Sequence, residues 1–455
     1  MALFYFFAYF QSVTSNFVHT NIFGNSFQLG YYYVDLWVGT PPVKQTVIID
    51  TGSRLTAFPC MDCPECGIHM DNYFNYKNSS TSHVLTCEEN SDCERCVSVD
   101  DLCRYSVSYV EGSSISGYLI RDSVVFGDEL NVTHSVTLTF GCHKRETNLF
   151  KTQLVDGIMG LGIKGQAKNI VEVLYGSKET GKNLFTICFA NENGYMTIGG
   201  YNESRYNEEI KWTDMLTSPF YAITATGLKV NGVNTGLMKS DFGNAYTTGT
   251  IVDSGTTFAY LCYSVYKMVY KSFEEYCKLD GRCLGEKVKV IGEPHICYKL
   301  NIDSYTPEEF FASFPEFTLI IGDIEVAWKP ERYLFAWWDT PYTFCVGIYN
   351  NGGSGNVLGG IFMRGNDVIF DLSSKKMGFV SSECGHNWTE SFNNRARMVS
   401  EANELNKKNF IFKNGVFCVF IGFLYSIYWY LEKRPKASLA KSKKNVEGSI
   451  SISIS

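Results

Sequence analysis

The chain has 455 residues, 45% hydrophobic and 15% aromatic, which is enough for two or three compact units with sizeable cores. A net charge of −7 argues against a nucleic-acid partner, which calls for a basic surface. Sixteen cysteines argue against a reduced cytosolic setting and for an oxidising compartment.

The chain opens on a short apolar, aromatic run from Ala2 to Phe10, with small residues after it at Ser12, Thr14 and Ser15. This reads as a secretory signal over residues 1–18, although a charged start is missing. The alternatives are an exposed apolar terminus or a buried first strand. Strands are expected over Tyr31–Val38, Gln45–Ile49, Tyr105–Tyr109 and Tyr118–Phe126, because β-branched and aromatic residues run between Gly and Pro punctuation. Gly39-Thr40-Pro41-Pro42 is a turn between the first two. Further strands are expected at Ser135–Phe140, Thr186–Phe189, Met196–Ile198, Ala222–Val230, Phe317–Ile321, Val368–Phe370 and Met377–Val380. Helical patterns are few: Asn169–Tyr175 and, more clearly, Tyr263–Cys277. The class is mainly β, with two similar lobes over residues 19–205 and 206–385.

Residues 60–103 interrupt the strand pattern with seven cysteines, Cys60, Cys63, Cys66, Cys87, Cys93, Cys96 and Cys103. They read as a polar insertion that crosslinks must hold in shape; zinc at the metal-like spacing of Cys60, Cys63 and Cys66 is the alternative. Fifteen cysteines precede the C-terminal segment, an odd number, so at least one is unpaired. Sequons stand at Asn78, Asn131, Asn202 and Asn387. The acidic Glu208-Glu209 pair and the Asp303–Glu309 stretch read as solvated faces.

A linker over 386–414 leads to the uncharged segment Gly415–Leu431. As a helix it would be roughly 26 Å long, close to the thinner hydrocarbon core of an endoplasmic reticulum bilayer. The basic tail 432–455 follows, with Lys433, Arg434 and Lys436 at its start. Positive charge stays cytosolic, so one transmembrane helix of type I orientation is expected, with the body of the chain lumenal. A buried core helix is the alternative.

Two stretches carry the chemistry. Val47-Ile48-Ile49-Asp50-Thr51-Gly52-Ser53 and Thr250-Ile251-Val252-Asp253-Ser254-Gly255-Thr256 are alike, and their aspartates lie 203 positions apart. One such stretch is an ordinary strand and turn. Two of them point to a duplicated lobe that sets one carboxylate from each half face to face. Two close carboxylates cannot both ionise easily, so they share a proton; one acts as base on water and the other as acid on the leaving nitrogen. Gly52 and Gly255 allow close backbone approach. Ser53 and Thr256 are placed to bond the outer carboxylate oxygens, and Thr51 and Ser254 to anchor each turn to the opposite lobe. This chemistry needs no metal and no cofactor.

Over residues 28–382 the chain resembles the pepsin-like aspartic proteases. The residues that carry the resemblance are the two Asp stretches, Tyr33–Thr40 with Pro41, Asp156-Gly157-Ile158-Met159-Gly160-Leu161-Gly162, Val357–Arg364, and Phe370-Asp371 with Met377-Gly378-Phe379. The resemblance implies a bilobal protease fold with Asp50 and Asp253 as the catalytic pair. It also implies a hairpin flap at Tyr109-Val110-Glu111-Gly112-Ser113, with Tyr109 closing over the substrate. Within the family, the Cys-rich insertion, the C-terminal span and the short segment before the first strand resemble the plasmepsin V group of apicomplexan parasites; the insertion also resembles that of plant nepenthesins. That likeness implies cleavage after the Leu of Arg-x-Leu motifs by a monomeric catalytic unit in the endoplasmic reticulum membrane, with Glu111 and Gln153 lining the pocket for Arg. A carboxylate at Glu111 suits a guanidinium in any case. The group carries a free Cys beside the flap Tyr; this chain has Val110 there. A membrane-anchored sheddase of broader specificity and an inactive pepsin-fold binding protein are the competing readings.

Overall fold

The computed structural model describes residues 17–385 except 90–92, 94, 97–100, 128–134, 164, 166, 244–248, 291–295 and 338. The signal segment up to residue 16, the sequons at Asn131 and Asn387, and the linker, apolar segment and basic tail beyond 385 lie outside the described residues. Among the described residues, no helix is long and apolar enough to cross a membrane.

The fold is mainly β. Its largest sheet has fifteen strands and draws on both ends of the sequence. Strand Leu184–Phe189 is its hinge, pairing with Glu192–Ile198 on one side and with the late strand Asn366–Asp371 on the other. From Glu192–Ile198 the sheet continues through Val18–Asn25 and Tyr31–Val38 to Val43–Asp50. Tyr31–Val38 alternates half-buried and buried residues along its length, as a strand with one face on the core must. Val18, the last residue assigned to the signal by sequence, is instead the first of a strand and is buried against the sheet. The interval before the first expected strand is therefore itself paired structure.

Two smaller units repeat the same design. In the first half, Gly157–Gly160 lies parallel to Val43–Asp50, with Gly160 opposite Asp50, and antiparallel to Ala57. In the second, Asn356–Leu358 lies parallel to Thr250–Val252 and antiparallel to Ala259–Tyr260. The hydrogen bonds match as well: the Gly162 amide donates to the Ser53 carbonyl at 2.7 Å, and the Gly360 amide to the Thr256 carbonyl at 2.7 Å. The two apolar-Gly motifs are thus the strands that brace the two Asp turns.

The cysteines of the insertion are oxidised, pairing as Cys60–Cys142, Cys63–Cys66, Cys87–Cys96 and Cys93–Cys103. Crosslinks are only part of what holds it. Phe74 and Leu85 are fully buried, and the Phe74 ring meets Phe58 and Phe140 at 5.9 and 5.8 Å. The insertion is therefore rooted in the core by packing, which its polar composition concealed. Elsewhere Cys188–Cys384, Cys277–Cys283 and Cys297–Cys345 are paired, and Cys262 is a buried free thiol.

The acidic stretches are not merely solvated. Glu309 closes a capping box, its carboxylate accepting from the Thr306 amide at 2.8 Å, and starts the helix Pro307–Ala312 with Phe310 and Phe311 buried. Glu208 accepts from the Ser381 amide at 3.0 Å. Ala222–Val230, expected as one strand, breaks at Thr224 into Ala222–Ile223 and Ala225–Val230.

Candidate active site

The two Asp turns meet across the halves in a closed set of hydrogen bonds. The Thr51 amide donates to Ser254 Oγ at 3.0 Å, and the Ser254 amide donates to Thr51 Oγ1 at 2.9 Å. Each hydroxyl passes its own proton on, Thr51 to the Val252 carbonyl at 3.2 Å and Ser254 to the Ile49 carbonyl at 2.8 Å. All four groups are buried, so the lattice exchanges no partners with water. It fixes the two turns relative to each other.

Within each turn the Asp carboxylate is held from its own chain. The Gly52 amide donates to Asp50 Oδ1 at 2.8 Å and the Gly255 amide to Asp253 Oδ1 at 3.0 Å. Thr256 Oγ1 donates to Asp253 Oδ2 at 2.6 Å, as its position predicted. Ser53 is the looser counterpart: its buried hydroxyl interacts with both the Asp50 carboxyl and the Tyr109 phenol and favours their charged forms, without the short bond that Thr256 makes. Each glycine faces the opposite carboxylate. A Cβ on Gly52 would stand 2.7 Å from both Asp253 oxygens, and one on Gly255 would overlap Asp50 Oδ1. Only glycine lets the two carboxyl groups approach.

The electrostatics follow from that approach. Burial, and next the charge of Asp253, push the Asp50 carboxyl up from 3.8 to about 8. Asp50 therefore keeps a proton at neutral pH. The pair holds one acid and offers one carboxylate, which is the state in which water can be deprotonated and a leaving nitrogen protonated in one step.

Cys103–Ser108 and Ser114–Phe126 form the flap hairpin, closed by Tyr109 N to Ser113 O at 2.9 Å and Gly112 N to Tyr109 O at 3.0 Å. Gly112 has φ of +93°, a left-handed value that the tight tip requires. Tyr109 packs on Phe150 at 5.0 Å. Burial and then the nearby Asp50 charge hold its phenol above its ordinary range, so it remains a neutral donor. Val110 and Glu111 are exposed at the tip.

Residues that the sequence did not single out hang the tip in place. Asn148 Nδ2 donates to the Gly112 carbonyl at 2.8 Å, and the Leu149 amide to Ser113 Oγ at 3.2 Å. Leu149 begins a one-turn helix, Leu149–Thr152, that ends on Gln153. Glu111 and Gln153 thus belong to one mechanical unit. The Gln153 side-chain nitrogen is buried with no partner among the described residues. Positive φ at Asn148, +48°, is the trace of this connection, and an Asn there was the available signal.

Comparison with known sequences adds the decisive observation: the eukaryotic aspartyl protease profile matches residues 31–382. The chain belongs to the eukaryotic aspartyl protease family. As an aspartyl protease it is a hydrolase of peptide bonds, and the arrangement around Asp50 and Asp253 is of the kind such hydrolysis uses. Aspartic protease 5 of Toxoplasma gondii is 28% identical over 419 residues, covering 80% of this chain and 37% of that protein. Plasmepsin V of Plasmodium falciparum is 24% identical over 472 aligned positions, covering 86% of this chain and 77% of that protein. Aspartic proteinase 36 of Arabidopsis thaliana is 27% identical over 380 residues, covering 78% of this chain. The aspartyl protease described here therefore spans only about a third of the Toxoplasma protein and about three quarters of plasmepsin V.

Proposed function

We propose that this protein is a membrane-anchored aspartic endopeptidase of the endoplasmic reticulum that cuts secreted polypeptides after the Leu of Arg-x-Leu motifs. Asp50 and Asp253 are its catalytic pair. Asp253, held by Gly255 and Thr256, takes the proton of a water lying between the carboxyl groups. The proton carried by Asp50 goes to the peptide oxygen as the tetrahedral centre forms. When the carbon–nitrogen bond breaks, a dyad proton passes to the leaving nitrogen. Thr51 and Ser254 keep the carboxyl groups in register, and Tyr109 covers the bound strand and shields the reaction from water.

The observation that carries the specificity is the linked pair at the flap. Glu111 leaves an exposed carboxylate at the tip, and Gln153 holds a buried amide edge without a partner. A half-turn of that amide presents its oxygen at the same spot, where a guanidinium N–H would satisfy it. Together the two groups suit a planar cation with several donors better than a lysine ammonium. The uncharged segment 415–431 and the basic tail after it support the membrane and the orientation. Peptide-library profiling of the purified protein tests this reading. Selection for Arg two residues before a Leu at the cut supports it, and a broad profile favours the sheddase reading.

A further inference from the structure

The Cys-rich insertion meets the flap-side strand at a buried cluster outside the catalytic pair. Its hub is Glu146, at the end of the strand Ser135–Glu146. Glu146 Oε1 accepts from His143 Nδ1 at 2.8 Å. Glu146 Oε2 accepts from the Gly67 amide at 2.9 Å and lies 3.0 Å from His69 Nε2. The other ring nitrogen of His69, Nδ1, lies 3.2 Å from the backbone carbonyl of Gln153. The side chains of His69 and Glu146 are both 0% exposed. Next to this contact, the Met70 amide donates to the Leu154 carbonyl at 2.6 Å.

The partners decide the protonation states. A carboxylate and a carbonyl are both acceptors only. A neutral imidazole carries one N–H and could satisfy one of them; the imidazolium satisfies both. His69 is therefore the charged ring. His143 is the neutral one: its Nδ1–H goes to Glu146, and its Nε2 is buried with no partner, where a second proton would be stranded.

We propose that His69 is a positioning residue, an imidazolium clamp that fixes the Gln153 segment to the insertion and releases it when the ring loses its proton. This rests on the reading that Gln153 lines the subsite for Arg. Released, Gln153 loses one backbone tether and the subsite loosens, so substrate binding weakens while the catalytic pair, held by its own lattice, is untouched.

The groups around the ring set the direction. Burial works against the charge on His69, but the Glu146 hydrogen bond and charge, the Gln153 carbonyl and the field of Asp156 outweigh it and raise the ring above its ordinary value. From the insertion, the Tyr73 ring lies 6.1 Å away with its hydroxyl donating to the Gly67 carbonyl, and Asp71, 3.5 Å from Lys44, is raised to about 6 by burial and by Asp156, at the lower edge of the range in which the clamp titrates. His143 faces the same carboxylate, and burial keeps it below its ordinary value. On the surface beside Glu146, Arg145 pairs with Glu65 at 2.9 Å. A base raised on folding is clamped at low pH and unclamped as pH rises through its folded value, on the alkaline side of 6.5.

The test uses the full chain, with His69→Gln and His69→Asn as neutral variants that each keep one donor and cannot titrate. For an Arg-x-Leu peptide, the wild-type KM should rise roughly tenfold from pH 6 to pH 8, the loss of one charge-assisted hydrogen bond, with no matching step in kcat. Both variants should show a raised KM that is flat over that range. Amide hydrogen exchange across residues 146–156, corrected for intrinsic rate, should lose protection over the same pH range in the wild type alone. A wild-type KM and exchange profile without this step, or variants that retain it, overturn the clamp. An exchange step in a protein with no Arg preference at any pH leaves the clamp standing and defeats the subsite reading instead.

Discussion

Thr51 and Ser254 hold each other through both their backbones and their side chains: each amide donates to the other's hydroxyl, at 3.0 and 2.9 Å. The two residues come from opposite halves of the sequence and sit in equivalent turns, so the contact is the local twofold relation of the molecule written in four atoms. Removing one hydroxyl orphans a buried amide and a buried carbonyl together. Ser254→Ala should lower stability by about 1–3 kcal/mol in urea titration and reduce kcat more than KM. Ser254→Thr should recover much of both.

The paired carboxylates predict the pH range of the enzyme. Asp50 keeps its proton until about pH 8 because burial and Asp253 oppose its ionisation. Activity should therefore persist through neutral pH and fall above about 8, read as the alkaline limb of kcat against pH.

The same shift sets a stability trend. An acid whose value is raised on folding stabilises fully below its unfolded value of 3.8 and loses that contribution as pH rises to about 8. The thermal midpoint of the wild type should decline across that interval relative to Asp50→Asn, which has no proton to lose. Asp50→Asn and Asp253→Asn should each cost roughly 10²–10⁴-fold in kcat while leaving the protein folded.

The glycines facing the carboxylates should tolerate no side chain. Gly52→Ala places a methyl 2.7 Å from both Asp253 oxygens and should separate the pair. The expected result is loss of activity, a folded protein weakened by about 1–3 kcal/mol from overpacking, and an altered pH–rate profile where residual turnover is measurable.

Phe74 tests whether packing roots the insertion. If its ring against Phe58 and Phe140 matters as much as the crosslinks, Phe74→Ala should cost about 3–5 kcal/mol with every disulfide intact. Mass mapping of the disulfides beside a denaturation curve separates the two contributions.

Much of this was legible in the residues. Tyr31–Val38 and Phe317–Ile321 have the bounds that alternation predicts, because each has one face on the core. The Asp turns were legible because the duplication repeats a rare pattern, and their bracing motifs because they resemble those of a known family. The odd cysteine was foreseen by counting, though not its identity as Cys262. Other features were hidden for physical reasons. The helix at Pro307 begins inside an acidic run, where a capping Glu309 looks like any solvated charge. The His69–Glu146–His143 cluster joins positions 77 and 3 residues apart, and only folding brings them to one carboxylate. Ser53 and Thr256 are equivalent by position, but the short bond is made by Thr256, while Ser53 is shared between Asp50 and Tyr109.

Strand Leu184–Phe189 pairs with Asn366–Asp371, and Cys188 is bonded to Cys384. During synthesis this makes the order of events matter. Asp50 and its turn leave the ribosome early, but the strand that closes their sheet is translated more than 300 residues later. A nascent chain thus carries half a dyad until Asp253 is made, and the Leu184–Phe189 edge stays open until Asn366–Asp371 follows. The two Asp turns can lock together only once the second half has been made, and the late strand pairing closes the sheet after that.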